Sequence, residues 1–449
     1  MGLHVSHYSV FSSRDDGNVV AVNTLYRTAA LIRREDAAEL QRILADPNGY
    51  AADPTGKQPL FNALRRSLFL VDENLDEVGL LKMRSRAGQF DSENISIVIM
   101  PTLRCNFRCR YCYVTPQNLD MSQDVQQSVL AWLEAKPFRN LLCGWFGGEP
   151  LLRLDVMRKT IGKMQALCQQ RGGLFRSMVT TNGYLLTPPV IRELEGLGFT
   201  GVQITLDGPR EIHNQMRPLA NGQGTFDVLI ENIGNLLALT KGVALRLRIN
   251  LDESNIEAAY SMFEAWPASF KDERVLVDTK LISSHPRGWS EGEAGTKSPA
   301  LFRKSIEMLK HLALQGYHIA FIESLGSSGC TSCEFDFYHN FLIGPEGNLY
   351  KCTFSFEIGD RMGHLAPGGK EVFDLPRLVK RMSAKDPFTD MRCLDCQLLP
   401  LCGGSCGYRA TLGHKRCYLD LCGLREVAEM FYTEQIVNKR RASSAGQPA

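Results

Sequence analysis

Apolar and polar positions alternate along this chain in two different rhythms. Between about residues 95 and 300, short apolar runs of strand length are separated by amphipathic stretches of helical period. Residues 95–100, 141–146, 176–181, 201–206, 245–250 and 274–282 read as strands, the first rich in β-branched residues. Residues 122–135, 154–171 and 226–239 read as the helices between them. Strands alternating with helices predict a parallel α/β core. Residues 1 to about 90 read differently. Apolar residues at 4–11 and 19–23 flank Arg14-Asp15-Asp16-Gly17, a hairpin signal. Helical patterns follow at 36–44, 60–68 and 75–86, with the short run 69–71 between the last two. Residues 283–300 are loop by composition, and 300–316 is one more helix. Residues 341–351 read as a hairpin, and 423–438 as a final helix before a Lys-Arg-Arg, Ser- and Gly-rich tail with the composition of disorder.

The predicted strands end in polar or glycine residues: Gly147-Gly148-Glu149-Pro150, Thr180-Thr181-Asn182, Thr205 with Asp207, and Asn250. Successive polar strand ends predict one shared site at the C-terminal mouth of a barrel-like sheet. The loop after the first of these strands carries Cys105-x3-Cys109-x2-Cys112. Three thiols on one short loop suit a soft metal or an iron–sulfur cluster. A four-iron cube held by three cysteines keeps one iron open. Glycines at 147 and 148 would let backbone carbonyls approach a ligand closely, and Glu149 suits a cationic amino group. Arg248, on an otherwise apolar strand, needs an anionic partner. Arg217 has the planar fork that fits a carboxylate, and His213 reads equally as structural or functional.

Twelve of the fourteen cysteines fall at 105–112 or 330–422; Cys143 and Cys168 stand apart and read as small buried hydrophobes. The second group is Cys330-x2-Cys333, then Gly347-x4-Cys352, Cys393-x2-Cys396-x5-Cys402-x3-Cys406, Cys417 and Cys422. Two C-x2-C pairs could build a zinc ribbon. Nine thiols exceed one zinc site and match two four-thiolate clusters with one left over. The start lacks a basic segment followed by an apolar one, so no signal peptide is expected. The cysteines are then expected to be reduced and metal-binding, in a cytoplasmic protein. The formal net charge of +2 gives no case for nucleic acid, and no apolar run of membrane-spanning length occurs.

The three-cysteine loop, with Tyr111 before its last cysteine, resembles the signature of the radical S-adenosylmethionine (SAM) enzymes. The resemblance extends to Gly147-Gly148-Glu149-Pro150 after the next strand and to Leu206-Asp-Gly-Pro-x3-His213-x3-Arg217-Pro. It implies a partial (β/α)6 barrel. The Cys105/Cys109/Cys112 cluster would chelate SAM, and reductive cleavage would give methionine and a 5′-deoxyadenosyl radical. Tyr111, Gly147, Gly148, Glu149, Pro150, Thr181, Asn182, Thr205, Asp207 and Arg248 are the implied SAM-binding positions, with Tyr111 near the adenine and Arg248 reaching the carboxylate. The C-terminal cysteines resemble a SPASM extension with two auxiliary [4Fe–4S] clusters. Correspondence gives Cys330, Cys333, Cys352 and Cys406 to one. Cys393, Cys396, Cys402 and Cys422 go to the other, with Cys417 as the alternative to Cys422.

The implied organisation is an N-terminal recognition region (1–90), a radical SAM core (91–300), a bridging helix (301–329), a SPASM domain (330–425) and a terminal helix and tail (426–449). The implied activity is modification of a ribosomally made precursor peptide, taken up partly by residues 1–90, with a reductant such as flavodoxin or ferredoxin. The rival within enzymes is an anaerobic sulfatase-type maturase forming formylglycine. Such enzymes place Asp directly after the cysteine matching Cys352, where this chain has Thr353. The rival from another class is a non-catalytic iron–sulfur electron-transfer protein, which has no use for the polar strand ends.

Overall fold

The structure, a computed structural model, describes residues 2–53, 58–263, 266–282, 298–321, 333–356, 358–413 and 417–444. Six strands carry the α/β pattern: β6 (Asn94–Ile99), β7 (Asn140–Trp145), β8 (Phe175–Thr180), β9 (Phe199–Thr205), β10 (Ala244–Leu251) and β11 (Val275–Leu281). They lie side by side in chain order, each parallel to the next, as right-handed crossovers through intervening helices require. This is the expected partial barrel, with each strand end within one residue or two of the apolar pattern. The connecting helices include the predicted Gln123–Glu134, Leu154–Gln170 and Phe226–Leu239. Three short ones, Pro188–Gly196, Arg210–Met216 and Ile256–Met262, escape the sequence reading, because none spans enough turns to show its period.

The sheet is larger than six strands. β12 (His318–Ile319) extends it beyond β11. At the opposite edge β13 (Phe341–Ile343) pairs parallel to β6, and β14 (Asn348–Tyr350), β15 (Gly363–Leu365) and β16 (Glu371–Phe373) follow antiparallel. The predicted hairpin is therefore a continuation of the barrel sheet, and it brings Cys352 against the edge from which the Cys105 loop departs. Lys351 locks that hairpin. It is buried, and its ammonium donates to Phe337 O (2.7 Å), Tyr338 O (2.8 Å) and Asn340 O (2.7 Å).

In the N-terminal region β1 (Leu3–Val5) pairs with β5 (Leu70–Asp72), while β2 (Ser9–Ser13), β3 (Val19–Asn23) and β4 (Thr28–Ile32) form an antiparallel sheet. The helices Ala37–Ala45, Pro47–Ala52, Gln58–Arg66 and Glu77–Gln89 complete it. All five residues of β3 are buried because both its faces are covered. Val19 and Ala21 pack with Ile32, Leu40, Ile43 and Phe69 in a local core. Val20 and Val22 point the other way, into the main core shared with Val427 and Phe431 of the final helix, Leu424–Ser444. That helix runs past residue 438, where the tail was expected to begin. Residues 445–449 and most of the 283–300 loop lie outside the described residues.

Substitution of Lys351 by Met leaves three buried carbonyls without their donor. It should lower stability by about 2–4 kcal/mol, the range for an unsatisfied buried network, measured by chemical denaturation.

Candidate active site

The loop that leaves β6 is fixed on two sides by backbone hydrogen bonds. On one side Gly148 N donates to Thr102 O (3.1 Å) and Glu149 N to Arg104 O (2.8 Å). On the other, Arg108 N donates to Pro218 O (2.9 Å), Arg110 N to Met216 O (3.0 Å), and Ala220 N to Asn106 O (2.8 Å). This contact by itself requires glycine at both positions. A Cβ at Gly148 would stand 2.1 Å from Arg104 O, and one at Gly147 2.4 Å from Thr102 O. Gly147 also has φ +134°, a conformation that L side chains rarely adopt.

Glu149 is fully buried. Its carboxylate accepts from Asn182 N (2.7 Å), Thr181 Oγ1 (2.7 Å) and Leu151 N (3.0 Å), tying the turn after β7 to the end of β8. Burial pushes its pKa up, and these donors oppose that shift. Asn182 Nδ2 donates to Asn106 Oδ1 (2.7 Å) and lies 4.0 Å from Cys105 Sγ. Pro150 opens the short helical turn that Glu149 caps.

A second network spans the ends of β9 and β10. The Tyr111 hydroxyl donates to Asp207 Oδ2 and accepts from Arg217 Nη1 (2.7 Å) and Asn250 Nδ2 (2.9 Å). Asp207 is fully buried; its Oδ1 accepts from Asn250 N (3.0 Å), and Arg217 Nη1 stands 3.9 Å from its Oδ2. Burial pushes the Asp207 pKa up, with Arg217 opposing. Arg217 thus stands near a carboxylate of this chain's own, by one nitrogen and not through its fork, and its hydrogen bond goes to the Tyr111 hydroxyl. His213 is structural: it is buried, its pKa is pushed down to about 3 by burial, and its neutral ring accepts from Asp207 N (3.3 Å) and pairs with Thr225 Oγ1 (3.2 Å). Arg248 is engaged by the protein. Its Nη2 donates to Asp278 Oδ2 (2.9 Å), a buried carboxylate that Arg246 and Lys280 also face. Thr205 is buried at the end of β9.

Thirteen cysteines are described and all are free thiols; Cys330 lies outside the described residues. Cys105, Cys109 and Cys112 share one electrostatic neighbourhood. Burial pushes the Cys105 thiol up to about 11, and raises Cys109 and Cys112 while Arg217 opposes. Cys333, Cys352 and Cys406 form a second group: Cys333 is influenced by Cys352, and Cys352 by Cys406. The guanidinium of Arg381, hydrogen-bonded to Asp336 (2.9 Å), stands over it. Cys393 is influenced by Cys402, Cys396 and Cys417, and both Cys396 and Cys402 by Cys417. Cys422 is linked to this third group through Cys417 alone. It is buried in the main core with Val427, Ala428 and Met430, and its Sγ faces Tyr418 O (3.7 Å).

Among the described residues no three His, Cys, Asp or Glu side chains converge as a single metal ion requires. The donor chemistry fits a larger group. Each set consists of thiols alone, as iron–sulfur cubes prefer, and N–H groups are already directed at sulfur: Phe107 N at Cys105 (3.4 Å) and Phe354 N at Cys352 (3.3 Å). An aromatic wall joins the first two sets. Tyr113, half-buried, contacts Phe354 (4.3 Å between ring centres), Phe356 and Phe146. Sequence reading missed Tyr113, Asp278 and Lys351; only the proximity of each to a cysteine or an arginine in the chain could have marked them.

A profile of the radical SAM superfamily matches residues 99–251. The Fe-coproporphyrin III synthase of Methanosarcina barkeri is 25% identical over 186 residues, which is 41% of this chain but only 44% of that protein's length. The cysteine-type anaerobic sulfatase-maturating enzyme of Clostridium novyi is 23% identical over 332 residues, covering 70% of this chain and 88% of that one. Among solved structures, native anSMEcpe with bound AdoMet and Cp18Cys peptide superposes with a TM-score of 0.56 at 18% identity, over 79% of this chain and 100% of the other. Streptococcus suis SuiB bound to precursor peptide SuiA gives a TM-score of 0.50 at 14% identity, over 90% and 95%. At such identities the likeness concerns the fold. No described helix is long and apolar enough to cross a membrane.

Proposed function

This chain is a radical SAM enzyme of maturase-like architecture, and from that premise we propose that it modifies a ribosomally made precursor peptide. One observation carries the peptide part. Among the described residues, β4 has β3 as its sole strand partner, so one edge of the N-terminal sheet offers unpaired backbone groups, and Leu31 on it is 39% exposed. An extended peptide joins such an edge as one more strand. The solved relatives with bound peptides support a peptide as the substrate class.

The Cys105/Cys109/Cys112 loop would hold the SAM-binding [4Fe–4S] cluster, with Gly147–Pro150, Thr181, Asn182, Thr205, Asp207, Arg248 and Tyr111 around SAM. Together they supply, when bound, one-electron cleavage to a 5′-deoxyadenosyl radical. Two auxiliary clusters would be held by Cys330, Cys333, Cys352 and Cys406, and by Cys393, Cys396, Cys402 and Cys417. An external reductant of flavodoxin or ferredoxin type would deliver the electron. The protein's part is orientation and dryness. Glu149 and Asp207 fix the strand ends around one point, and Tyr113, Phe146, Phe354 and Phe356 exclude water beside it, where a substrate hydrogen must be held at near-attack distance.

Sulfatase-type maturation is the second reading, favoured by the curated relatives. Against it, Thr353 follows Cys352, and its hydroxyl is engaged by the Tyr113 hydroxyl. A threonine supplies no carboxylate base there.

Two outcomes are expected. Cys417→Ser should lower iron content by about four per chain, by four-thiolate ligation, whereas Cys422→Ser should leave it unchanged; elemental analysis decides. Leu31→Glu should raise the precursor KM at least about tenfold, or about 1.4 kcal/mol, and leave peptide-free SAM cleavage as it was. An unchanged KM removes the β4 edge from recognition.

A further inference from the structure

The turn that carries Cys393 and Cys396 is gripped by the first residues of the chain. His7 Nε2 pairs with Leu394 O (3.0 Å), the Thr24 hydroxyl donates to Gln397 O, and Gln397 Nε2 returns a bond to Ser9 O (2.6 Å). Between these contacts sits Tyr8, which is 0% exposed. Its ring lies in an apolar cluster with Leu25, Leu81 and Leu399, against which Cys393 packs. Its hydroxyl is buried and has no hydrogen-bond partner among the described residues.

The nearby carboxylate does not take that hydroxyl. Glu77 Oε1 accepts from Ser6 Oγ (2.7 Å) and Oε2 from His7 N (2.8 Å). Asp76, also within electrostatic reach of the phenol, caps the helix Glu77–Gln89 by accepting from Gly79 N (2.8 Å) and makes no hydrogen bond to the phenol; the cysteine turn is the remaining neighbour, Cys396 lying within the same reach and Cys393 packing against the cluster that holds the ring. An unpaired buried donor costs about 1–3 kcal/mol, and phenylalanine would fill the same apolar space without that cost. The oxygen calls for an acceptor that arrives with the cluster.

We propose that Tyr8 is a positioning residue of the second auxiliary cluster: its hydroxyl donates a hydrogen bond to a sulfur of the cluster held by Cys393, Cys396, Cys402 and Cys417. This rests on the cluster reading given above. Hydrogen bonds to sulfur set the reduction potential of such clusters by favouring the more negative, reduced form. The N-terminal region, proposed to bind the precursor, thereby also tunes an electron carrier of the core.

The test is an EPR-monitored redox titration of anaerobically purified Tyr8→Phe beside the unsubstituted enzyme, with iron and sulfide counted in both. The expected result is unchanged iron, one auxiliary couple moved to a more negative potential, and the other couples in place. A second variant carries 3-fluorotyrosine at position 8, which keeps the ring's shape and is a stronger donor; it should move the same couple positive. Unchanged couples at full iron, or equal shifts in all of them, overturn the proposal. Should Tyr8→Phe fail to fold, the fluorotyrosine enzyme decides alone. About four irons with bound zinc in the unsubstituted enzyme would instead overturn the cluster reading itself, and the proposal with it.

Discussion

Close backbone contact between the cysteine loop and the turn after β7 is the constraint on which this architecture depends. Thr102 and Arg104 offer their carbonyls to Gly148 N and Glu149 N, and only glycine leaves room for that approach. The loop cannot tilt without lifting the glycine turn. The turn cannot move without pulling on Thr181 and Asn182, because Glu149 is bonded to both. Three consecutive strand ends are thereby locked around one point. Tyr111, from within the loop, extends the lock to Asp207 on the β9 side and Asn250 on β10.

Each cysteine set is underlain by buried charge. Arg217 stands by Cys109 and Cys112, and Arg381 with Asp336 by Cys333 and Cys352. Lys385, paired with Asp336 (2.8 Å), reaches Cys402. Burial alone disfavours thiolates, so fixed cations beside them ease the deprotonation that ligation demands. Such cations tolerate burial because each is paired: Arg217 with the Tyr111 hydroxyl, and Arg381 and Lys385 with the two oxygens of Asp336.

The strand and helix order was legible in the chain because both periods are strongly marked between residues 94 and 251. The cysteine spacing and the glycine turn were legible because few other arrangements need those residues together. Side-chain destinations were not. Arg248 reads as a lone cation seeking a ligand, yet its partner Asp278 is set by strand register thirty residues away. Whether Cys417 or Cys422 stands with Cys393, Cys396 and Cys402 is likewise not written in the spacing: Cys417 acts on all three, while Cys422 is buried in the main core and linked to Cys417. The N-terminal region reads as a recognition region, and its packing on the far end of the chain is not marked in the sequence. Val20 and Val22 share a core with the final helix, and removing them would expose it. Pairing across such distances follows from three-dimensional closure, which no local pattern records.

The most direct test is a single anaerobic incubation of the reduced enzyme with SAM and a precursor peptide. The chromatogram for 5′-deoxyadenosine is read together with the mass of the peptide. The account predicts release of 5′-deoxyadenosine coupled to an oxidised peptide, and loss of both when Cys105, Cys109 and Cys112 are replaced by alanine. Intact SAM in the presence of a fully reduced, iron-loaded enzyme would contradict it.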